Sequence, residues 1–178
     1  CRRREDGGRW MRSEQERLMV LRSAIAAGVE YVDIEADIAS QIPRYGDTKR
    51  IISYHDFAET PDDLESLAAA MADEDADIVK IATMANSFSD NIRMLNMVKS
   101  ATRPTIGICM GEIGMVTRIL GERVGSPFHL QRRQETGART AQLEGNEHAV
   151  PLQRDQRRNG IVWRGRRPRG AQLQPADS

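Results

Sequence analysis

Short apolar runs alternate with amphipathic segments from Ser13 to Gly121, and this alternation restricts the fold more than any other feature of the chain. Tyr31 to Glu35, Arg50 to Tyr54, Ile78 to Thr83 and Pro104 to Met110 each read as a strand. Ser13 to Gly28 reads as a helix with Leu18, Leu21, Ile25 and Ala26 on its inner stripe. Ser13 is its N-cap and Gly28 its stop. Thr60 caps a second helix, with Pro61 at the first position and Asp62, Asp63 and Glu65 in the first turn. Ser89 to Ser100 is a third, turning Ile92, Leu95 and Val98 inward, and Gly114 to Gly121 opens a fourth. Strand and helix in turn, with short connections, predict an α/β chain with a parallel sheet and crossover helices. Alternation alone does not separate a barrel from a doubly wound sheet.

The 178 residues fit one domain with a substantial core. Formal net charge is zero, so no polyanionic partner is implied. The zero conceals an asymmetry: residues 1–128 hold sixteen basic and twenty-one acidic residues, residues 129–178 ten arginines and five acids. Those arginines have no aromatic interleaving beyond Trp163, which argues against nucleic-acid binding. No signal peptide and no long apolar span is visible, so the expected location is cytoplasmic, away from membranes. Cys1 and Cys109 are too few for a disulfide framework, and Cys109 reads as a small core residue. Gly107 to Gly114 lacks the spacing of a dinucleotide fingerprint, and no third ligand completes a metal set around Asp33 and Glu35. No cofactor and no metal are expected.

Lys80 is the residue most out of place. It lies inside the apolar run Asp77-Ile78-Val79-Lys80-Ile81-Ala82-Thr83, and it is one of only three lysines, with Lys49 and Lys99. An ammonium buried there is costly unless it is paired or has lost its proton. A desolvated amine can attack a carbonyl. The preceding strand ends in His55-Asp56-Phe57, and His55 is the only histidine in residues 1–128. Lysine in one strand and histidine at the end of its neighbour suggest amine catalysis with a proton shuttle. A lysine snorkelling to water and a histidine capping a loop are the plainer readings of the same residues.

Ile52-Ser53-Tyr54-His55-Asp56-Phe57, Thr60-Pro61, Asp77-Ile78-Val79-Lys80-Ile81-Ala82, Gly114-Met115-Val116-Thr117-Arg118-Ile119-Leu120-Gly121-Glu122 and Gly125-Ser126-Pro127-Phe128 resemble, in order and spacing, type I 3-dehydroquinate dehydratase. That family is a (β/α)₈ barrel of the shikimate pathway, using neither metal nor nucleotide. The resemblance implies an imine between Lys80 and the C3 ketone of 3-dehydroquinate. It makes His55 the base at C2, then the acid for the departing C1 hydroxyl. It puts Asp6 just before Gly7-Gly8 as the acid orienting His55, with Glu5 as the alternative, or a solvated turn acid. Arg2 and Arg118 would hold substrate carboxylate and hydroxyls, although Arg2-Arg3-Arg4 also reads as a solvated cluster. Glu35 joins the substrate-binding set; it and Asp33, at alternate strand positions, could pair with Lys80 or an arginine. Two rivals stand beside this reading: another lysine-imine barrel enzyme such as an aldolase, and an inactive truncated product. A homodimer is compatible with it.

Against that family the chain reads as an incomplete (β/α)₈ TIM barrel, residues 1–128, lacking the first and last strands. Cys1 in place of Met suggests lost upstream sequence. Residues 129–178, rich in Arg, Gln and Gly, read as a disordered or non-native tail. Translation in a shifted frame accounts for them. Read from the second base of the Trp163 codon, the stretch to Pro175 permits a sequence resembling the opening of shikimate dehydrogenase, and His129 to Gln131 permits a continuation of the dehydratase's seventh strand. The Gly-Gln expected later is not permitted at Ala141-Gln142. The 178-residue polypeptide itself is expected to lack dehydratase activity.

Overall fold

The computed structural model describes residues 1–129 and 150–151. Four strands, β1 (Tyr31–Glu35), β2 (Lys49–Asp56), β3 (Ile78–Met84) and β4 (Thr105–Met110), form one parallel sheet in the order β1-β2-β3-β4. Helices α1 (Glu14–Ala26), α2 (Leu64–Asp73), α3 (Phe88–Ser100) and α4 (Met115–Leu120) lie between and around them. Short 3₁₀ turns cover Ala36–Gln41 and Gly121–Val124. A two-residue strand β5 (Phe128–His129) pairs antiparallel with β6 (Val150–Pro151). The tail assigned to residues 129–178 otherwise lies outside the described residues. Among the described residues no helix is long and apolar enough to cross a membrane.

Strand order resolves the ambiguity left by alternation. A doubly wound sheet reverses its direction of winding at a switch point; here every strand lies beside its predecessor. The sheet also curls. Tyr31 on β1 meets Phe128 edge to face, with ring centroids 5.4 Å apart, and Phe128 clusters with Ile106 and Ile108 of β4. In a flat sheet β1 and β4 would stand three strand spacings apart, roughly 14 Å. The contact therefore closes over a concave face, as in a barrel wall.

Period-two alternation divides the side chains between the two faces. Val32, Ile34, Ile52, Val79, Ile81 and Cys109 turn to the helices and pack with Leu18, Leu21, Ile25, Leu64, Met71, Met94 and Met97. Tyr31, Ile51, Ile78, Ala82, Ile106, Ile108 and Phe128 form the concave core. Cys109 is a core residue, and burial pushes its thiol up to about 11.

Three helix expectations are corrected. Thr60 does not cap α2. Asp63 does, accepting from the Ser66 amide at 3.0 Å, while Thr60 turns inward to Thr83 Oγ1 and the Met84 carbonyl, both at 2.8 Å. On α3 the buried face is Asn91, Met94, Met97 and Val98, and Ile92 is exposed. On α1, Ala26 is exposed and Arg17 takes the place on the inner stripe. Gly107, dismissed as a nucleotide loop, has a packing reason: a Cβ there would lie 2.5 Å from Val98 Cγ2 and 2.8 Å from Met94 Sδ. Its missing side chain lets α3 settle on β4.

Candidate active site

Lys80 occupies the third position of β3 and is 5% exposed. Register sets it beside Ser53 of β2 and Ile106 of β4. Alternation then gives one face to Asp33, Ser53, His55 and Lys80, opposite the helix layer. Lys80 Nζ donates to Asp33 Oδ2 at 2.9 Å, and Arg2 Nη2 reaches the same oxygen at 3.5 Å. Of the two ways to bury an amine, the fold takes pairing. Burial opposes ionisation of Asp33, but Lys80, the Ser53 hydroxyl and Arg2 outweigh it and hold the carboxyl below the usual aspartate value.

His55 stands two residues beyond Ser53, beside Ala82. Both its ring nitrogens are buried without a hydrogen-bond partner among the described residues. Burial, then the positive charges of Arg2 and Lys80, pushes its pKa down from 6.5 to about 4, so the ring is a neutral base at ordinary pH. Phe57 stacks on it at 6.3 Å between centroids. The other end of Phe57 meets the N-terminal turn: a Cβ on Gly7, whose φ is +77°, would lie 2.8 Å from Phe57 Cζ. Gly7 thus allows the turn that carries Arg2 to close over the histidine. The turn is held by Gly7 and Gly8 amides donating to the Arg4 and Arg3 carbonyls at 3.0 and 2.7 Å.

Two expected site residues are engaged elsewhere. Asp6 accepts from Arg3 Nε at 2.7 Å, and Arg3 also forks onto Asp37 at 2.6 and 2.9 Å. The expected contact between Asp6 and His55 is not made, because the guanidinium claims the carboxylate. Glu35 is buried, and both its oxygens accept from Arg17 Nη1, at 3.0 and 2.8 Å. Arg17, fully enclosed, also binds Glu14 at 2.9 and 2.6 Å and the Cys1 carbonyl at 3.3 Å. The chance of an arginine pairing with a strand carboxylate is realised there, and Glu35 is committed to the protein. Arg118 is half-buried on α4, in a concavity lined by Ile106, Ile108, Ser126 and Phe128, further round the concave face. The structure thus gathers Lys80, His55 and Arg2, with Asp33 and Ser53 added, and sets Asp6, Glu35 and Arg118 around them. Arg17 was legible in principle: residues 17, 21 and 25 share one helical face.

A curled parallel sheet with a paired strand lysine and a neutral histidine on its concave face defines a segment of an α/β barrel wall. The sequence model of the type I 3-dehydroquinase family matches residues 1–147. The chain belongs to the type I 3-dehydroquinase family. It is 38% identical over 139 residues to the 3-dehydroquinate dehydratase of Dehalococcoides mccartyi, covering 72% of this chain and 61% of that protein. It is 40% identical over 128 residues to the chloroplastic bifunctional 3-dehydroquinate dehydratase/shikimate dehydrogenase of Arabidopsis thaliana, covering 67% of this chain and 21% of that protein. The crystal structure of the Aquifex aeolicus 3-dehydroquinate dehydratase superposes with a TM-score of 0.61 at 29% identity, over 71% of this chain and 60% of that one. The chain therefore spans less than two thirds of the length of these relatives.

Proposed function

We propose that residues 1–128 supply the imine-forming and proton-transfer machinery of a 3-dehydroquinate dehydratase, a carbon–oxygen lyase yielding 3-dehydroshikimate and water. The observation that carries this reading is the placing of Lys80 and His55 on adjacent strands and one concave face, with His55 next to the carboxyl end of β2, the end at which barrel enzymes hold their sites.

Lys80 Nζ attacks the C3 ketone, and loss of water leaves a protonated imine. The imine acidifies the neighbouring C–H, and neutral His55 removes the C2 proton to give the enamine. The imidazolium then protonates the departing C1 hydroxyl. Water hydrolyses the product imine and returns the amine. Arg2 sits where it can hold the substrate carboxylate through paired donors. That carboxylate would cancel one of the charges depressing His55 and move the imidazole back toward working pH. Arg118 is assigned to the substrate's hydroxyls from the β4 side. Asp6 and Glu35 support these groups through Arg3 and Arg17. A cytoplasmic location accords with the two cysteines, neither in a disulfide. A homodimer is compatible and is checked by sedimentation.

The test, made on a full-length, intact-frame version of the chain, is the appearance of the conjugated enone of 3-dehydroshikimate when 3-dehydroquinate is added, followed by ultraviolet absorbance. Aldol substrates should give no turnover. Enone formation that persists in Lys80→Ala, or cleavage of an aldol in place of dehydration, would sink the reading.

A further inference from the structure

Among the described residues Asp33 is the carboxylate in contact with the amine, and the imine scheme above leaves it without a task. Its Oδ2 accepts from Lys80 Nζ at 2.9 Å. Arg2 Nη2 stands 3.5 Å from the same oxygen. Among the described residues the other groups on this side are His55 and Ser53 of β2, with Arg3 beyond and Arg118 further round the concave face, while Ile106 and Ile108 of β4 are apolar. Asp33 is ionised: the Lys80 charge, Ser53 and Arg2 overcome the effect of burial.

Imine formation conserves the charge that this carboxylate faces. An ammonium and a ketone give an iminium and water: two of the three N–H protons leave with the carbonyl oxygen, one stays on nitrogen, and the positive charge stays with it. A carboxylate paired to the ammonium is therefore already placed for the iminium. We infer that Asp33 is the positioning residue of Lys80 and its counter-ion through the covalent step, fixing Nζ by the hydrogen bond that survives imine formation. This rests on the imine chemistry proposed above. The pairing has a cost as well as a gain. It favours the cationic amine, which slows the first attack, and it favours the cationic imine, which stores the electron pair released at C2.

The readout is the pH dependence of Lys80 acetylation by acetic anhydride, measured by peptide mass spectrometry with exposed Lys99 as internal reference. An opposite charge at this range shifts a titration by about 1–3 pH units. Asp33→Asn, near-isosteric and still an acceptor, should move half-maximal labelling of Lys80 down by about that amount and leave Lys99 unmoved. Asp33→Glu should restore the wild-type profile. In the full-length, intact-frame version with 3-dehydroquinate and borohydride, Asp33→Asn should trap the imine at lower pH than wild type, while enone formation slows by about 10²–10³-fold, the loss typical of one preorganised electrostatic group.

An unshifted Lys80 profile in Asp33→Asn, with an adduct still forming in the wild type, overturns this inference and leaves the imine reading standing. So does a shift in Asp33→Glu as large as that in Asp33→Asn. A shifted profile with no wild-type adduct at Lys80 overturns the imine reading, and with it the covalent part of this inference.

Discussion

His55 shows how a residue's surroundings set its chemistry. Its folded pKa, about 4, lies below the ordinary 6.5, so the unfolded chain binds more protons between those values. The sign follows: folding stability contributed by neutral His55 is whole above about pH 6.5 and is lost as pH falls toward 4. The carboxylates held below their usual values, Asp33, Asp75, Asp77 and Asp90 among them, lose their contribution only in more acid solution. Urea melts at pH 7.5 and pH 5 should therefore show a drop in wild type that is smaller in His55→Gln; equal drops would mean the ring is not held neutral. In the full-length, intact-frame version His55→Ala should slow enone formation by roughly 10²–10⁴-fold and let trapped imine accumulate. An unchanged rate would leave His55 a structural residue. Lys80 and His55 were legible because a cation in an apolar run and a lone histidine at a strand end conflict with local pattern. Asp33 was legible only as a chance of pairing, since alternation gives its face but not the reach of its carboxylate. Asp6 went astray because nothing in a run of three arginines tells which one will turn back and bind it.

At the scale of elements, caps and close contacts decide what pattern leaves open. Ser13 and Glu16 form a reciprocal capping box on α1, the Ser13 amide and the Glu16 amide each meeting the other's side chain at 3.0 and 3.3 Å. Ser13→Ala should cost about 1 kcal/mol of stability in a urea melt; no loss would show the cap to be idle. Gly107→Ala should cost about 1–3 kcal/mol, because α3 must shift to admit a methyl group against Val98 and Met94. A neutral result would mean that α3 does not sit that close to β4. The strands were readable almost to their ends, since β3 and β4 are continuous buried runs and β2 is buried from Arg50 to Ser53. Helix starts were less so. Thr60-Pro61 has every local mark of an N-terminus, yet the Thr60 hydroxyl satisfies a buried Thr83 and the Met84 carbonyl instead. A tertiary hydrogen bond outbids a local cap, and the helix begins at the next suitable acid, Asp63. Ile92 misled in the same way: it is apolar at a plausible spacing, but the sheet meets α3 on the Met94 and Met97 side.

Over the whole molecule, order and curvature carry the argument from α/β alternation to a barrel wall. Neither is written in the sequence pattern. Strands that follow one another in the chain can wind in one sense or two, and only the observed order β1-β2-β3-β4 distinguishes them. The meeting of Tyr31 with Phe128 depends on the curl and on residues nearly a hundred positions apart. What the curl accomplishes is to bring Lys80, His55, Asp33 and Arg2 inside one concavity, with the apolar Ile78, Ala82 and Ile106 on the same face. The central claim is that this concavity makes an imine at Lys80. It is tested most directly by reducing the full-length, intact-frame version with borohydride in the presence of 3-dehydroquinate and mapping the product by peptide mass spectrometry. One reduced ligand attached to Lys80, and none in Lys80→Ala, is the result expected; attachment at Lys49 or Lys99, or no covalent adduct at all, would contradict it.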